Sequence, residues 1–411
     1  MRHLTIGASA AGITAAKTLR TLKKEDEIVL LSSDTDVHSR CMLHHFMGGH
    51  KSLEDVNFAG RDFFDKYSVK WIKGKRAVKV DPDKNIVGLD DGGELAYDKL
   101  LIATGAVFVI PPIPNFRTSD NVYGLRDIYD AQKISAAAAK ADKCVIVGSG
   151  LVGLDAAYAL CERGVTCSIV EMADRISPLQ LDYTAAGEYQ KRFEAAGCTF
   201  YLDEKAADSK TDGMGNITSL ILASGKEIPC DFVIVAAGVK PAAAFLEGSG
   251  IVTNKSVCTD DYMRTNIENI WAAGDAAGIT GIWPNAMEQG KVAAENMAGI
   301  PTVYDNRYGL KNTMNFFGLT TLSLGAALPT EGDEVYVRES KSQYERFIVR
   351  GGTVTGVIIQ GDISNKGIWQ EIVKNKVSLE DINKSPFNIN YADFYKYNPK
   401  DASYEWSDHI T

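Results

Sequence analysis

The sequence has few of the features that mark membrane, secreted or nucleic-acid-binding proteins. No uninterrupted apolar run reaches the roughly 18 residues that a spanning helix needs, and the longest candidate, Leu100 to Ile113, is broken by Pro111 and Pro112. The net charge of −9 favours neither nucleic acid nor an anionic membrane surface as a partner. The first predicted strand begins almost at once, which leaves no room for a signal peptide. We therefore expect a cytoplasmic protein.

Cysteines are few, and none is spaced like a metal-binding or dithiol pair. The seven cysteines include no Cys-x-x-Cys pair, so we expect neither a zinc knuckle nor an iron–sulfur ligand run. The same spacing leads us to exclude a dithiol active site built from two close cysteines. Most of them lie in apolar segments, where a small buried thiol is the simplest interpretation. The set is Cys41, Cys144, Cys161, Cys167, Cys198, Cys230 and Cys258.

A glycine turn follows the first predicted strand. His3 to Gly12 is a short apolar run that ends in Gly-x-x-x-x-Gly and opens into a helix over Ile13 to Leu22. Gly7 would let the chain reverse without a Cβ clash, and Gly12 would let the helix pack against the strand. The free N–H groups of the first helical turn would then face a pyrophosphate. Ser9 replaces the middle glycine of Gly-x-Gly-x-x-Gly, so a purely structural turn is an open alternative at this point.

A second copy of this pattern is complete. Within Lys143 to Leu160, a strand leads into Gly-Ser-Gly-Leu-Val-Gly at Gly148 to Gly153 and then into an alanine-rich helix. The next strand, Val165 to Val170, ends on Glu171. An acidic residue about twenty positions beyond the glycines binds an adenosine ribose and repels a 2′-phosphate. Two such turns indicate electron transfer between two dinucleotides.

Other segments repeat in the same order. Tyr97 to Gly105 is predicted to be a buried strand ending in a tight turn, and Cys230 to Gly238 echoes it. Ile270 to Asp275 predicts a further strand, which delivers an aspartate at its carboxyl end, where ligands of such sheets collect. A chain of 411 residues is long enough for two or three domains. The repeated order indicates an internal duplication.

The second strand of the first unit ends differently from its counterpart. Glu27 to Leu31 is apolar enough for burial on both faces of a parallel sheet. Ser32 stands where an acidic ribose ligand is expected, with Asp34 and Asp36 just beyond it. The ribose contact is therefore predicted to be a hydroxyl or a displaced carboxylate.

The segment Ser39 to Gly48 places Cys41 directly after Arg40, at the predicted start of a helix. A cationic neighbour and free helical N–H groups would favour the thiolate over the thiol, so Cys41 is a candidate redox sulfur. A packed cysteine that only lines a cofactor is the open alternative. The nearby histidines lack companion ligands at a metal spacing, and we predict no metal site. They are His38, His44, His45 and His50.

From about Tyr304 the pattern changes to short antiparallel strands followed by an amphipathic helix. The helix is predicted to contain Ile368, Ile372 and Val373. The predicted strands are Met314 to Leu324, Glu334 to Glu339, Tyr344 to Val349 and Val354 to Gln360.

Together these residues resemble a known family, the FAD- and NAD(P)-dependent pyridine nucleotide-disulfide oxidoreductases. The branch that fits contains NADH oxidase and peroxidase, coenzyme A-disulfide reductase, NADH:rubredoxin reductase and the flavin part of nitrite reductase. The resemblance is carried, in chain order, by Gly7 to Gly12, Ala103 to Gly105, Gly148 to Asp155, Ala237 to Gly238 and Ala273 to Asp275.

The resemblance implies an α/β fold with two Rossmann-like three-layer nucleotide-binding domains, glutathione-reductase-like, and a C-terminal α+β interface domain. The FAD-binding domain would comprise residues 1–110 and 239–303, with the NAD(P)H-binding domain, 111–238, inserted between them. The C-terminal domain would cover residues 304–411 and would join the chain into a homodimer or a larger redox complex.

By this resemblance the first unit would bind FAD. The pyrophosphate would lie at Gly12, the helix that carries Ala286 at the pyrimidine end of the flavin, and Asp275 on the ribityl chain. The implied FAD contacts are Gly7, Ser9, Ala11, Gly12, Ser32, Arg40, Ala77, Ala103, Thr104, Gly105, Gly274, Asp275 and Ala286.

The second unit would bind NAD(H) and pass a hydride from the nicotinamide to the flavin, with the protein supplying placement and electrostatics. Asp155 replaces the family's usual glutamate, which leaves its role on the nicotinamide side open. The implied NAD contacts are Gly148, Gly150, Leu151, Val152, Gly153, Asp155, Glu171 and Gly238.

The resemblance leaves the electron acceptor open. Cys41 stands where single-cysteine members keep a redox sulfur, which would fit a coenzyme A-disulfide or persulfide reductase or an NADH oxidase. Ala10 replaces the histidine of members that reduce oxygen or peroxide, and no clean copy of the tyrosine–proline signature of coenzyme A-disulfide reductases is found near the C-terminus. Val354 to Asp362 and Ile372 to Asp381 look instead like the rubredoxin and nitrite reductase relatives.

We therefore expect an enzyme that exchanges electrons between NADH, FAD and an iron–sulfur partner such as a rubredoxin or ferredoxin-like protein. The alternative is the Cys41 thiol enzyme. A flavin-binding scaffold subunit is a third hypothesis, and the intact NAD turn disfavours it.

Overall fold

The computed structural model describes residues 1–309, 311–379 and 384–406. Its α-helices, labelled α1 to α8 in chain order, span Ala10–Leu22, Leu43–Met47, Phe63–Lys66, Ile128–Ala138, Leu151–Cys161, Tyr183–Ala195, Trp283–Met297 and Ile368–Lys374. Short 3₁₀ turns cover Arg40–Met42, Ala244–Leu246, Gly274–Ala276, Pro386–Asn388 and Tyr391–Phe394.

The first unit is built on a five-stranded parallel sheet whose central strands are buried. From edge to edge its strands are Ile270–Ala272, Lys99–Ile102, Arg2–Ile6, Glu27–Ser32 and Lys70–Lys73. The strand at Ile270–Ala272 joins this sheet although the second unit precedes it in the chain. Helices α1 and α7 pack so closely that a Cβ at Gly290 would lie 2.2 Å from the Ala11 carbonyl oxygen.

The second unit repeats this architecture. Its five-stranded parallel sheet has the order Thr199–Tyr201, Thr166–Val170, Lys143–Val147, Phe232–Val235 and Val122–Gly124. In both units the strand before the glycine turn is central, flanked by the next strand and by the closing strand. The duplication and the α/β class predicted from the sequence are confirmed.

Each unit also carries a small antiparallel sheet. In the first unit the strands are Ala77–Asp81, Ile86–Leu89 and Glu94–Ala96, with a hairpin turn at Asp90 to Gly93. In the second unit they are Ala206–Thr211, Ile217–Leu222 and Glu227–Pro229.

A two-stranded ribbon lies where the units meet, pairing Ala106–Phe108 with Val239–Pro241. A second ribbon pairs Thr253–Asn254 with Ser256–Val257. The domain boundaries at 110/111 and 238/239 stay a prediction, and the first ribbon lies close to both.

The C-terminal part is a five-stranded antiparallel sheet covered by α8. Its strand order is Lys311–Phe316, Leu319–Gly325, Thr353–Gln360, Tyr344–Arg350 and Glu334–Glu339. The single strand predicted from Met314 to Leu324 is wrong, because Phe317 and Gly318 have φ angles of 48° and 73° and turn the chain back on itself.

The predicted helix is confirmed as α8, with Ile368, Ile372 and Val373 buried. A short hairpin of Tyr395–Asn398 and Ser403–Trp406 follows. Of the predicted C-terminal domain, residues 310, 380–383 and 407–411 lie outside the described residues, and so does the end of the segment Ile372 to Asp381.

The C-terminal sheet docks on the second unit through a buried polar cluster. Asp182, the N-cap of α6, accepts a hydrogen bond from the Tyr344 hydroxyl at 2.5 Å and pairs with Arg346. The Tyr189 hydroxyl donates to the Leu319 carbonyl at 2.9 Å. Both charges are almost fully buried, which is tolerated because they pair with each other.

Candidate functional site

The first glycine turn is shaped by backbone packing. Gly7 has a φ of 119°, and a Cβ there would lie 2.1 Å from the Ala103 carbonyl oxygen. A Cβ at Gly12 would lie 1.8 Å from the Gly7 carbonyl oxygen. Neither position accepts a larger residue without a backbone shift, which confirms the close packing predicted from the sequence.

The N-terminus of α1 is left uncapped. Its N-cap, Ser9, is extended and makes no capping hydrogen bond, and the first turn of this fully described helix carries no acidic residue. Ser9, Ala10 and Ala11 line a cleft. The helix therefore presents peptide N–H groups and its positive dipole end to that cleft, as an anion site requires.

This cleft has a volume of about 700 Å³, within the usual range of about 300–1,000 Å³ for ligand sites. Of the predicted FAD contacts only Gly12 is not part of its lining, because Gly12 lies behind the turn that it shapes. The predicted residues along its wall are Gly7, Ser9, Ala11, Ser32, Arg40, Ala77, Ala103, Thr104, Gly105, Gly274, Asp275 and Ala286, together with Cys41. Their chemistry fits an extended dinucleotide such as FAD.

Sequence reasoning missed Arg126, which lines the same cleft and pairs with Asp275. Its Nε also donates to the Ala106 carbonyl at 3.0 Å. Arg126 lies in the second unit, between the strand Val122–Gly124 and α4, and no local motif marks it. Trp283 and Lys240 also line the cleft without having been singled out.

At the end of the second strand, Ser32 and Asp34 both line the cleft. The Ser32 hydroxyl donates to the Asp34 carbonyl at 2.9 Å and accepts from Trp71 Nε1 at 3.0 Å. The Asp34 carboxylate lies 3.3 Å from Arg40 Nη2. Both predicted alternatives for the ribose contact thus stay open, and each group already has protein partners.

The role of Cys41 as a redox sulfur stays a prediction, and its surroundings in the structure disfavour the thiolate. Burial raises the pKa of the Cys41 thiol, and the carboxylates of Asp155 and Asp275 raise it further, while only Arg126 lowers it. The guanidinium of Arg40 instead donates to the Arg126 carbonyl at 2.7 Å and faces Asp34. The predicted helix begins with a 3₁₀ turn and continues as the five-residue α2, too short to supply a strong dipole.

Beside Cys41, α2 and α5 bring His44 and Asp155 together, with Nδ1 and Oδ2 3.6 Å apart. Burial raises the pKa of Asp155 to about 7. Burial, with help from His45, lowers the pKa of His44 to about 4. At neutral pH the imidazole is therefore neutral and the carboxyl is poised between its two forms.

The second glycine turn repeats the first. Gly148 has a φ of 106°, and a Cβ there would lie 2.5 Å from the Ala236 carbonyl oxygen. A Cβ at Gly153 would lie 2.0 Å from the Gly148 carbonyl oxygen. Gly150 and Gly238, in contrast, have open space where a Cβ would point.

The N-terminus of α5 is also uncapped, and its first turn, Leu151 and Val152 included, carries no acidic residue. Glu171 lies beside this turn. It accepts hydrogen bonds from the Ser149 N–H and hydroxyl, both at 2.8 Å, and from the Ala173 N–H at 2.9 Å. The carboxylate is held in place and keeps acceptor capacity for a ribose hydroxyl. These groups fit NAD(H).

Two cysteines that are far apart in the sequence lie close together in the fold, which the sequence analysis did not predict. The sulfurs of Cys161 and Cys198 lie 3.2 Å apart. The two residues are 37 positions apart in the chain, and the fold brings them together where α5 ends and the strand Thr199–Tyr201 begins. Sequence spacing cannot reveal such a pair.

Among the described residues, no helix is both long and apolar enough to cross a membrane.

The chain matches two known protein families. Residues 1–290 match the family described as pyridine nucleotide-disulphide oxidoreductase. Residues 311–377 match the family described as rubredoxin NAD+ reductase C-terminal domain.

The chain is 32% identical to the NADH-dependent phenylglyoxylate dehydrogenase subunit epsilon of Aromatoleum evansii, over 92% of each chain. It is 26% identical to the NADH-rubredoxin oxidoreductase of Clostridium acetobutylicum, over 92% of this chain and 96% of that protein. Among solved structures, it is similar to an NAD-dependent persulfide reductase from A. fulgidus, with a TM-score of 0.83 and 25% identity over 93% of this chain and 78% of that one. Several other curated relatives are longer, and the chain spans half or less of their length.

The glycine turns, the cleft and the match over residues 1–290 agree. The chain belongs to the pyridine nucleotide-disulphide oxidoreductase family and is an FAD-dependent oxidoreductase that uses NAD(H).

Proposed function

We propose that this chain transfers electrons between NAD(H) and an iron–sulfur protein, with FAD bound by the first unit and NAD(H) by the second. The observation that carries the proposal is the C-terminal match to the rubredoxin NAD+ reductase domain over residues 311–377, on a chain that also has two glycine turns. The similarity to a NADH-rubredoxin oxidoreductase supports it. Bound FAD supplies the needed chemistry, because it accepts a hydride and releases electrons singly.

In the first unit, the uncapped N–H groups of α1 would bind the pyrophosphate of FAD. Asp275, held by Arg126, would accept hydrogen bonds from the ribityl hydroxyls. Ser32 or Asp34 would contact the adenosine ribose. The remaining predicted residues would shape the wall of the cleft.

In the second unit, the uncapped N–H groups of α5 would bind the pyrophosphate of NAD(H). Gly150 leaves room for close approach of the ligand to the backbone. Glu171 would accept hydrogen bonds from the ribose hydroxyls and would repel the 2′-phosphate of NADP. Its bonds to Ser149 and Ala173 hold the carboxylate in place before the ligand arrives.

The surroundings of Cys41 favour the direct route to an iron–sulfur partner. The thiolate is the nucleophilic form of cysteine, and the surroundings of Cys41 raise its pKa. Cys41 would therefore line the flavin site without taking part in the electron path.

A second candidate is a thiol enzyme in which Cys41 reduces coenzyme A disulfide or a persulfide. It is favoured by the position of Cys41 on the wall of the cleft and by the similarity to a persulfide reductase. In that case, approach of a cationic ligand or displacement of Asp155 would have to lower the pKa of Cys41.

The two candidates separate in the variant Cys41→Ser. FAD-loaded protein would be given NADH without oxygen and tested with rubredoxin, a ferredoxin, coenzyme A disulfide and a persulfide. We expect Cys41→Ser to keep most of the wild-type rate with rubredoxin or ferredoxin. Cys258→Ser is the matched control, because Cys258 is half-buried and does not line the cleft.

The proposal fails if the wild-type protein reduces neither iron–sulfur protein, or if Cys41→Ser abolishes that reduction while Cys258→Ser does not. Turnover of coenzyme A disulfide or persulfide that disappears only in Cys41→Ser would establish the second candidate instead.

We further propose that the chain works in the cytoplasm and within a homodimer or a larger redox complex, joined through the C-terminal sheet. The cysteines of the described residues are free thiols, which suits a reducing compartment. The phenylglyoxylate dehydrogenase relative is named as a subunit. Light scattering of the purified chain, alone and mixed with candidate partners, tests the assembly, and a monomer under all conditions would contradict it.

A further inference from the structure

Five of the seven cysteines belong to the second unit, and they differ in their access to solvent. Cys144, Cys167, Cys198 and Cys230 are buried, whereas Cys161 is half-buried at the C-terminal end of α5. Cys161 is therefore the cysteine of this unit that a small oxidant in solution reaches first.

Cys161 has a partner within reach. Its sulfur lies 3.2 Å from that of Cys198, whereas a disulfide bond is about 2.05 Å long. A shift of about 1 Å would allow the bond to form, and both residues lie beside chain turns, where such a shift is easiest. Cys198 directly follows the turn after α6, and Cys161 is followed by the turn Glu162 to Gly164.

The surrounding thiols favour the thiolate form of Cys161 by lowering its pKa. Hydrogen bonds from the thiols of Cys167 and Cys198 lower the pKa of Cys161, against burial and the nearby Glu162. The hydrogen bond with Cys161 raises the pKa of Cys198, and burial raises it further, whereas Cys167 lowers it. Cys161 is also the more exposed of the two, so it is the nucleophile of the pair and Cys198 is the resolving thiol.

We propose that Cys161 and Cys198 are a peroxide-sensitive thiol pair that closes to a reversible disulfide, separate from Cys41 and from both nucleotide sites. The Cys161 thiolate attacks one oxygen of hydrogen peroxide, the O–O bond breaks, and hydroxide leaves with a proton from water or from Cys198. Cys161 is then a sulfenic acid. The Cys198 sulfur attacks it, the S–S bond forms, the S–O bond breaks, and the oxygen leaves as water.

In sum, two thiols and one peroxide give one disulfide and two waters, and the two electrons pass from the sulfurs to the peroxide. The disulfide would tie the end of α5 to the start of the strand Thr199–Tyr201. A dithiol reductant would reverse it by exchange.

The test is a peptide map of the FAD-loaded protein after graded exposure to hydrogen peroxide. We expect the wild-type chain to lose two thiols, with the Cys161 and Cys198 peptides joined, and to regain both thiols after reduction by dithiothreitol. Cys198→Ser should stop at a sulfenic acid on Cys161, captured by dimedone. Cys161→Ser should form no disulfide with Cys198.

Cys258→Ser is the matched control and should behave as the wild type. The wild-type map needs no variant, so a variant that fails to fold leaves the test intact. The proposal is overturned if Cys41 or Cys258 becomes oxidised while Cys161 and Cys198 stay unjoined, or if Cys198→Ser loses two thiols as the wild type does.

Discussion

The two nucleotide-binding units have the same backbone packing at the glycine turn and differ in the side chains around it. The added Cβ would lie 2.1 Å from a carbonyl oxygen at Gly7 and 2.5 Å at Gly148, and 1.8 Å at Gly12 and 2.0 Å at Gly153. These clashes come from backbone packing, so the glycine pattern identifies a nucleotide-binding turn but does not identify the ligand. The ligand is distinguished by the residues around the turn.

Three pairs of corresponding positions carry that difference. At the end of the second strand, the first unit has Ser32 and the second unit has Glu171. Ala8 corresponds to Ser149, whose hydroxyl bonds Glu171, and Thr14 corresponds to Asp155. The second unit therefore has an acidic, hydrogen-bonded wall that the first unit lacks, as expected for a site that selects NAD(H) over NADP(H).

Helix capping also separates the nucleotide-binding helices from a structural one. α4 begins with Asp127 and Asp130 in a capping box. α1 and α5 begin with Ser9 and Gly150 and make no side-chain cap. Their N–H groups are left for a ligand phosphate, which then stabilises the folded state when it binds.

The largest effects are expected at the glycines of both units where an added Cβ would clash with the backbone. Gly12→Ala should abolish FAD retention and lower the free energy of unfolding by about 3 kcal/mol, because the backbone must shift. Gly153→Ala should leave the protein yellow and raise the KM for NADH strongly. Flavin absorbance, chemical unfolding and steady-state kinetics check these outcomes.

Gly187→Ala is the matched control for both variants. Gly187 lies in α6 with open space around a Cβ, so alanine there should stabilise the protein by about 0.5–1 kcal/mol. If Gly12→Ala keeps its flavin and its stability, the first glycine turn is not tightly packed.

The next largest effect is expected at Glu171, where the two units differ in charge. Glu171→Arg should lower kcat/KM for NADH about tenfold or more, equivalent to about 1.4 kcal/mol, and should raise it for NADPH, because the repulsion of the 2′-phosphate is replaced by attraction. FAD content should not change. Glu171→Gln, which keeps the shape and loses the charge, should gain less with NADPH. Unchanged coenzyme preference in Glu171→Arg would contradict the assignment of the second unit.

Asp155 should make the stability of the second unit depend on pH. Since burial raises its pKa from 3.8 to about 7, the folded chain binds a proton that the unfolded chain releases, and stability falls as the pH rises from about 4 to 7. Asp155→Asn removes this loss. The variant should differ little from the wild type at pH 5, where only part of the loss has occurred. At pH 8 it should be more stable by about 1–2 kcal/mol, or a few degrees in Tm, a value reduced by the partial exposure of the carboxyl.

Thr14→Ser, at the corresponding position of the first unit, should leave the pH dependence as it is. Thermal unfolding across this pH range checks both variants. An equal difference between Asp155→Asn and the wild type at pH 5 and pH 8 would show that Asp155 ionises normally.

The smallest effect is expected at Ser149. Ser149→Ala gives the second turn the alanine that the first turn has at the corresponding position, Ala8. It removes the hydrogen bond from the Ser149 hydroxyl to Glu171. The loss of one hydrogen bond to a group that keeps two N–H partners costs about 1 kcal/mol, which would raise the KM for NADH about fivefold. Kinetics with NADH measure it, and an effect larger than that of Glu171→Arg would reverse the proposed order of importance.

Local features of this fold were predictable from the sequence because their causes are local. The glycine turns and the amphipathic α8 depend on residues a few positions apart. The strand predicted from Met314 to Leu324 failed for a local reason too, since the left-handed turn at Phe317 and Gly318 has no strong sequence signal when a phenylalanine occupies it.

The chemistry of single side chains was not predictable, because distant segments determine it. The pKa of Cys41 depends on burial and on Asp155 and Asp275, and Arg126 reaches the cleft from the second unit. The contact of Cys161 with Cys198 depends on the packing of α5 against the turn after α6. Spacing along the chain carries none of this information.

The most direct test of the account, in which the first unit binds FAD and the second binds NAD(H), is an anaerobic titration of the purified, FAD-loaded protein with NADH. The account predicts one FAD per chain whose yellow absorbance is bleached by about one equivalent of NADH, whereas Gly153→Ala, with its flavin still bound, needs a large excess. A chain that binds no flavin, or a flavin that NADH does not reduce, would contradict the account.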